Sequence, residues 1–182
     1  MPPGRPLFVG RFQPFHLGHL DMVARIVAKH AEIVIGIGSA QYSHTRENPF
    51  TAGERYEMIK RTLDAAGIHN YHLVPIPDTH VHSVWVGHVV SLVPRFDIVY
   101  TNSPLVVRLF REKGFQVEEL PLFKREAYSG AQIRKTIYEG GEWAPLVPEE
   151  VGEYILEIDG PQRIRETFRY STPYGTRENE AD

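Results

Sequence analysis

The sequence predicts an α/β protein: a small doubly wound sheet of about five parallel strands, with additional helices after the last of them. Three observations predict it. Five short apolar runs are separated by four segments of helical period, and the connections between them are short. One run, Ala31-Glu32-Ile33-Val34-Ile35-Gly36-Ile37-Gly38, is apolar nearly throughout, as a strand buried on both faces must be. Right-handed crossovers then leave a parallel sheet covered by helices on both sides as almost the only solution.

The elements follow in order. Leu7-Phe8-Val9 gives the first strand, and the decapeptide from Gly10 to His19 is a strand-to-helix turn, the place where such sheets bind phosphates. Leu20, Val23, Ile26 and Val27 carry a helix to about Lys29, and the β-branched run to Gly38 is the second strand. After a polar loop over 39–50, Thr51-Ala52-Gly53-Glu54 is a capping box. It starts a helix with Tyr56, Ile59 and Leu63 on its apolar face and Gly67 at its end. Residues 71–77 read as a third strand whose two prolines put it toward an edge. A short helix around 85–93, a strand at 96–100, a helix at 104–113 closed by Gly114 and a strand at 115–120 complete the alternation. Ser129-Gly130-Ala131-Gln132 is a second capping-box pattern, opening a helix that ends at Gly140-Gly141. Residues 148–158 and 161–169 read as two more helices, and 171–182 as a polar tail without fixed structure, so one domain over 1–170 is expected.

Composition narrows the function classes. The 182 residues suffice for one core, and 42% apolar with 24% charged residues is ordinary globular usage. No run approaches the roughly 20 apolar residues of a membrane span, and no apolar stretch precedes the first strand, so neither membrane nor secretory signal is expected. With no cysteine, disulfide and thiolate chemistry are excluded, which fits a cytoplasmic protein. A net charge of −3 gives no general field for nucleic acid. Arg163, Arg165 and Arg169 are a local exception that reads, on helical spacing, as a solvated face.

The chemistry lies in Gly10-Arg11-Phe12-Gln13-Pro14-Phe15-His16-Leu17-Gly18-His19. Two imidazoles three residues apart at a helix start share a face with the free amides there, and all are donors for an anion. Gly10 and Gly18 allow close backbone approach. No G-x-x-x-x-G-K-[ST], third dinucleotide glycine or H-E-x-x-H is present. His80, His82 and His88 as a zinc cluster would lack both cysteines and a recognised ligand spacing.

This decapeptide resembles the first motif of the HxGH nucleotidylyltransferases, and Tyr128-Ser129-Gly130-Ala131-Gln132-Ile133-Arg134 resembles their second. Between them, Gly36-Ile37-Gly38-Ser39-Ala40-Gln41, Asn48-Pro49-Phe50-Thr51-Ala52-Gly53-Glu54-Arg55, Trp85-Val86-Gly87-His88 and Pro104-Leu105-Val106 are similar to the archaeal-type nicotinamide mononucleotide adenylyltransferases, in order from about residue 5 to about 165. The resemblance implies a Rossmann-like fold and transfer of AMP from ATP to nicotinamide mononucleotide, giving NAD and pyrophosphate. It implies His16, His19, Arg11 and Arg134 as catalytic groups, and Gly10, Phe12, Gln13, Gly18, Ser129 and Ile133 around ATP. Mg²⁺ would be held mainly by ATP phosphates. Trp85, whose indole face suits a cationic pyridinium ring, is implied for the acceptor with Asp78, Gly38, Ser39 and Asn102. Arg46 and His44, in the loop after the second strand, are further candidates near the phosphates. Family members are commonly hexamers, so a homo-oligomer is implied, with the C-terminal helices as candidate interface elements.

Three positions depart from the family pattern. Ala131 stands where a hydroxyl is usual, Arg46 lies one residue before the phosphate-binding arginine of some relatives, and Thr101-Asn102-Ser103-Pro104 replaces Ser-Gly-Asn-Pro. The alternatives are the same transfer to flavin mononucleotide or phosphopantetheine, and a nucleotide sensor without turnover.

Overall fold

A computed structural model describes residues 4–120 and 128–170; the predicted tail at 171–182 lies outside them. The chain runs β1 (Pro6–Gly10), α1 (Leu17–Val27), β2 (Ile33–Ile37), α2 (Ala52–Ala65), β3 (Tyr71–Pro75), α3 (His82–Leu92), β4 (Ile98–Tyr100), α4 (Pro104–Glu112), β5 (Gln116–Glu118) and α5 (Gly130–Tyr138). One 3-10 turn, Ala144–Leu146, then precedes α6 (Glu149–Glu157) and α7 (Gly160–Arg169). The turn carries no periodic signal and was not expected from the sequence. Every predicted element is present, with most ends one or two residues shorter than predicted.

The five strands are parallel, in the order β3-β2-β1-β4-β5. The third strand is at an edge, as its prolines require. Alternation along each strand sorts side chains to two cores. Phe8, Ile33, Ile35, Ile37, Ile98 and Tyr100 join α1, α2 and the C-terminal helices on one face. Leu7, Val34 and Val99 join Val86 and Val89 of α3 and Phe110 of α4 on the other. The winding therefore reverses between β1 and β4. A crevice opens at such a point beyond the carboxyl ends of the strands, and β1 delivers the histidine turn there.

The buried face of α2 is Arg55, Met58, Ile59, Thr62 and Leu63, rotated from the predicted stripe so that Tyr56 is only partly buried. Its capping box is formed in both directions: Thr51 Oγ1 accepts from the Glu54 amide (3.1 Å) and Glu54 Oε2 from the Thr51 amide (2.8 Å). At α5 only half of the expected box forms. Ser129 Oγ accepts from the Gln132 amide (3.1 Å), but the Gln132 side chain turns along the helix to Thr136 (3.5 Å).

Candidate active site

The histidine turn is a helix cap made of imidazoles. His16 is the N-cap of α1 and His19 its third residue. The His19 amide donates to His16 Nδ1 (3.3 Å), and the His16 amide donates to His19 Nδ1 (3.2 Å). The rings stack 3.5 Å apart at 19°. Because each Nδ1 accepts from a backbone amide, each proton of the neutral ring is placed on Nε2. The cap thus converts both rings into Nε2–H donors held side by side. Gly18 makes room for this, since a Cβ there would lie 3.1 Å from His16 Nδ1 and 3.1 Å from Tyr128 Cβ.

Burial keeps the pair uncharged. It pushes the His16 pKa down to about 4, and it drives His19 well below the ordinary imidazole value, with His16 adding repulsion. Between the unfolded value near 6.5 and about 4, the unfolded chain takes up a proton that native His16 refuses, so stability is present above that window and falls on acidification through it. The loss from His16 approaches about 3 kcal/mol. In thermal melts at pH 7 and pH 5, His16→Asn, which keeps a capping side chain, should lose less on acidification than the native protein. Equal losses would exclude His16 as the titrating group.

The second motif meets the first through backbone. Arg134, buried on α5, donates from Nη1 to the Gln13 carbonyl (2.7 Å) and from Nε to the Arg46 carbonyl (3.0 Å). Burial, then Arg11, pushes its pKa down to about 10, so it remains a cation at neutral pH. Neither bond uses Nη2. Arg134 is therefore first a tie between loops, with its remaining N–H donors left for a phosphate. Gly130 is required at this junction, because a Cβ would lie 2.8 Å from the Gln13 carbonyl oxygen.

Beside the tie lies a cleft of about 800 Å³, lined by Arg11, Arg46, Lys135 and Arg134 with Glu47, Ser129, Ala131, Gln132 and Phe168. Four cations face one carboxylate. Ser129 Oγ spends an acceptor site on the cap and keeps its O–H to donate. His16 and His19 are not among the lining side chains; Arg134 links them to the cleft through the Gln13 carbonyl. Among the described residues no group of three or more His, Cys, Asp or Glu could hold a metal ion.

Three of the ATP-site candidates turn their side chains inward. Phe12 and Ile133 are core side chains, 1% and 0% exposed, and the Ile133 amide is committed to the Ser129 carbonyl. Gln13 pairs with the backbone of Phe50, donating to its carbonyl (2.8 Å) and accepting from its amide (3.0 Å). All three shape the turn, and their side chains are closed to a nucleotide. Gly10 serves the same end, since a Cβ there would lie 2.7 Å from the Phe12 ring.

Of the acceptor candidates, Ser39 and Asp78 are brought together: Ser39 Oγ donates to Asp78 Oδ2 (2.7 Å). Gly38 lies against β1, its amide donating to the Gly10 carbonyl (2.8 Å). Asn102 donates toward Met22 Sδ (3.7 Å). Trp85 is partly buried on α3, edge-on to Phe110 at 5.7 Å. None of these lines the cationic cleft. His44 is exposed with its ring near Ser43 (3.0 Å) and is not a lining residue either, whereas Arg46 is. His80 lies 2.8 Å from the Tyr42 hydroxyl, and His88 donates to the Pro77 carbonyl (3.0 Å).

Two residues were missed by the sequence reading. Arg55 is wholly buried, donating from Nη1 to the carbonyls of Arg11 (2.8 Å) and Gly38 (2.7 Å), from Nη2 to Ser39 (3.2 Å) and from Nε to Thr51 (3.1 Å). It gathers the ends of β1 and β2 where Phe12 and Ser39 are left-handed, with φ of 52° and 51°. Burial pushes its pKa down to about 10. Arg163 is no solvated charge: Nη1 donates to Glu54 Oε2 (2.7 Å) and Oε1 (2.8 Å), both side chains being mostly buried. Its spacing on α7 matched a solvent face, but packing of α7 on the start of α2 covers it.

A doubly wound sheet whose switch point presents paired imidazole donors beside a cationic cleft defines a nucleotidyl-transfer fold, and the chain belongs to the cytidylyltransferase-like family, whose model matches residues 7–136. Within it, the chain is similar to proteins named nicotinamide-nucleotide adenylyltransferase. That of Thermoplasma volcanium is 56% identical over 162 residues, covering 89% of this chain and 91% of the relative. That of Methanolobus tindarius is 50% identical over 170 residues, 93% and 98% of the two chains. The solved bifunctional NMN adenylyltransferase/ADP ribose pyrophosphatase of Francisella tularensis, complexed with AMP and manganese, shares the fold with a TM-score of 0.74 at 21% identity. This chain covers 52% of that one, with 93% of its own length aligned.

Proposed function

We propose that the protein transfers AMP from ATP to nicotinamide mononucleotide, releasing pyrophosphate and forming NAD. The observation that carries this reading is the imidazole cap beside the cationic cleft, in a chain about half identical to enzymes of that name along nearly their whole length. An oxygen of the acceptor phosphate, already ionised at neutral pH, forms a bond to the α-phosphorus as the bridge to the β-phosphate breaks in line. No general base is required, so positioning and charge stabilisation supply the rate. His16 and His19 donate through Nε2 to the oxygens on which charge builds. Arg11, Arg46 and the remaining donors of Arg134 hold the phosphates, with the Ser129 hydroxyl beside them. A divalent cation, Mg²⁺ in the cell, would be held mainly by the nucleotide, with Glu47 the lining carboxylate suited to it, and would supply charge neutralisation. The acceptor ring stacks on Trp85, with Ser39 and Asp78 near its ribose.

Among the described residues no helix is long and apolar enough to cross a membrane, and we place the activity in the cytoplasm. We further propose a homo-oligomer. The outer side of α3 leaves Val84, Val90 and Leu92 at 54%, 46% and 42% exposed, with Leu105 of α4 at 45%, and on the C-terminal helices Leu156 is 64% exposed. A monomer by light scattering would refute it.

The deciding assay offers ATP, Mg²⁺ and a panel of mononucleotides. Pyrophosphate release should be fastest with nicotinamide mononucleotide, and Trp85→Ala should raise KM for that acceptor more than for ATP. Equal turnover with flavin mononucleotide would overturn the acceptor assignment; binding of ATP without turnover would favour a sensor.

A further inference from the structure

Helix α7 lies beyond residues 7–136, the span shared with the family model, yet it supplies Phe168 to the cationic cleft. The Arg46 guanidinium sits over the Phe168 ring, 4.5 Å from its centroid. Tyr138 of α5 stacks with the same ring at 4.6 Å and 15°. At its backbone Arg46 is held by Arg134, which donates to its carbonyl (3.0 Å). Three residues after Arg46 the loop is held again: Arg163 of α7 donates to the Pro49 carbonyl (3.4 Å) and to Glu54 at the start of α2.

We propose that Phe168 is a positioning residue for nucleotide binding: its ring, backed by Tyr138, holds the Arg46 guanidinium ready over the phosphate cleft. The proposal rests on the nucleotidyl-transfer reading. Arg46 is exposed on an irregular loop, and an arginine there would otherwise sample many rotamers and lose that freedom on binding. A ring face offers a guanidinium a flat, attractive seat that leaves its N–H edge available to phosphate oxygens, which a carboxylate partner would occupy. The stack also explains how Arg46 can serve although it stands one residue before the position of the phosphate-binding arginine in some relatives. The seat, rather than the register of the loop, sets where the guanidinium lies. The contact with α7 thereby makes the C-terminal helix a part of the ATP site.

The test separates this role from packing. ATP binding is measured by calorimetry without acceptor, on the full chain. Phe168→Ala should weaken ATP about two- to fivefold, the factor that a partly exposed cation–π contact is worth. Phe168→Leu, which fills the space without a π face, should weaken it equally, while Phe168→Tyr should keep native affinity. In an Arg46→Met background, Phe168→Leu should have no further effect. Steady-state kinetics should show KM for ATP raised with kcat and the acceptor KM unchanged. Native ATP affinity in Phe168→Leu, or an equal loss with and without Arg46, would overturn the proposal. Failure of the native chain to bind ATP would instead overturn the nucleotidyl-transfer reading, and this inference with it.

Discussion

His19→Ala is expected to lower kcat at least about 100-fold, the usual consequence of removing a preorganised donor from a transition state. The substitution also deletes half of the imidazole cap, worth about 1 kcal/mol, so the kinetic loss alone would not separate chemistry from folding. His19→Gln does. Glutamine at the third helical position can accept from the N-cap amide as the imidazole does, so stability should return in a thermal melt while turnover stays low. Recovery of both would show that His19 serves the helix only.

The largest effect on stability is expected at Arg55. Arg55→Met removes four donated hydrogen bonds at a site without solvent and strands the carbonyls of Arg11 and Gly38, while those of Thr51 and Ser39 keep the amides of Arg55 and Tyr42. Each buried acceptor left unpaired costs about 1–3 kcal/mol. With partial relaxation the chain should lose about 3 kcal/mol, or roughly 10 °C in melting temperature for a domain of this size. Arg55→Lys should recover little, because one ammonium cannot reproduce the planar fork that reaches both strand ends. A melting temperature within 2 °C of native in Arg55→Met would refute this account.

Arg55 also marks the limit of what the sequence made legible. Local signals carried far: strand burial on both faces sets the run at 33–37, prolines put β3 at the edge, and the spacing of His16 and His19 reports a helix start. The contacts that join the motifs are not local. Arg134 and Gln13 are 121 residues apart, and Arg163 and Glu54 are 109 apart, so no period in the chain records either. A charged residue on a helix is ordinarily solvated, and Arg163 read that way. For Arg55 a signal existed, since positions 55, 58, 59, 62 and 63 form one stripe at helical spacing. What the stripe cannot reveal is that two strand ends nearby present carbonyls with no other donor. The inward side chains of Gln13, Phe12 and Ile133 were hidden for a related reason: a motif marks which residues build a turn without separating side chains that shape it from those that face the cleft.

The interval between the two histidines is the interval between an N-cap and the third residue of a helix, so a fixed three-residue step sets the distance between the donors. In the proposed reaction these would be anion donors that carry no net charge of their own. Neutral donors strengthen as charge accumulates on the reacting oxygens, but they hold a departing polyanion about half as tightly as cations would. The cations stand on a separate wall, lent by other helices and loops. One wall can therefore favour the crossing of the barrier while the other governs how long the nucleotide and the pyrophosphate stay, and substitutions on the two should alter different steps of the cycle.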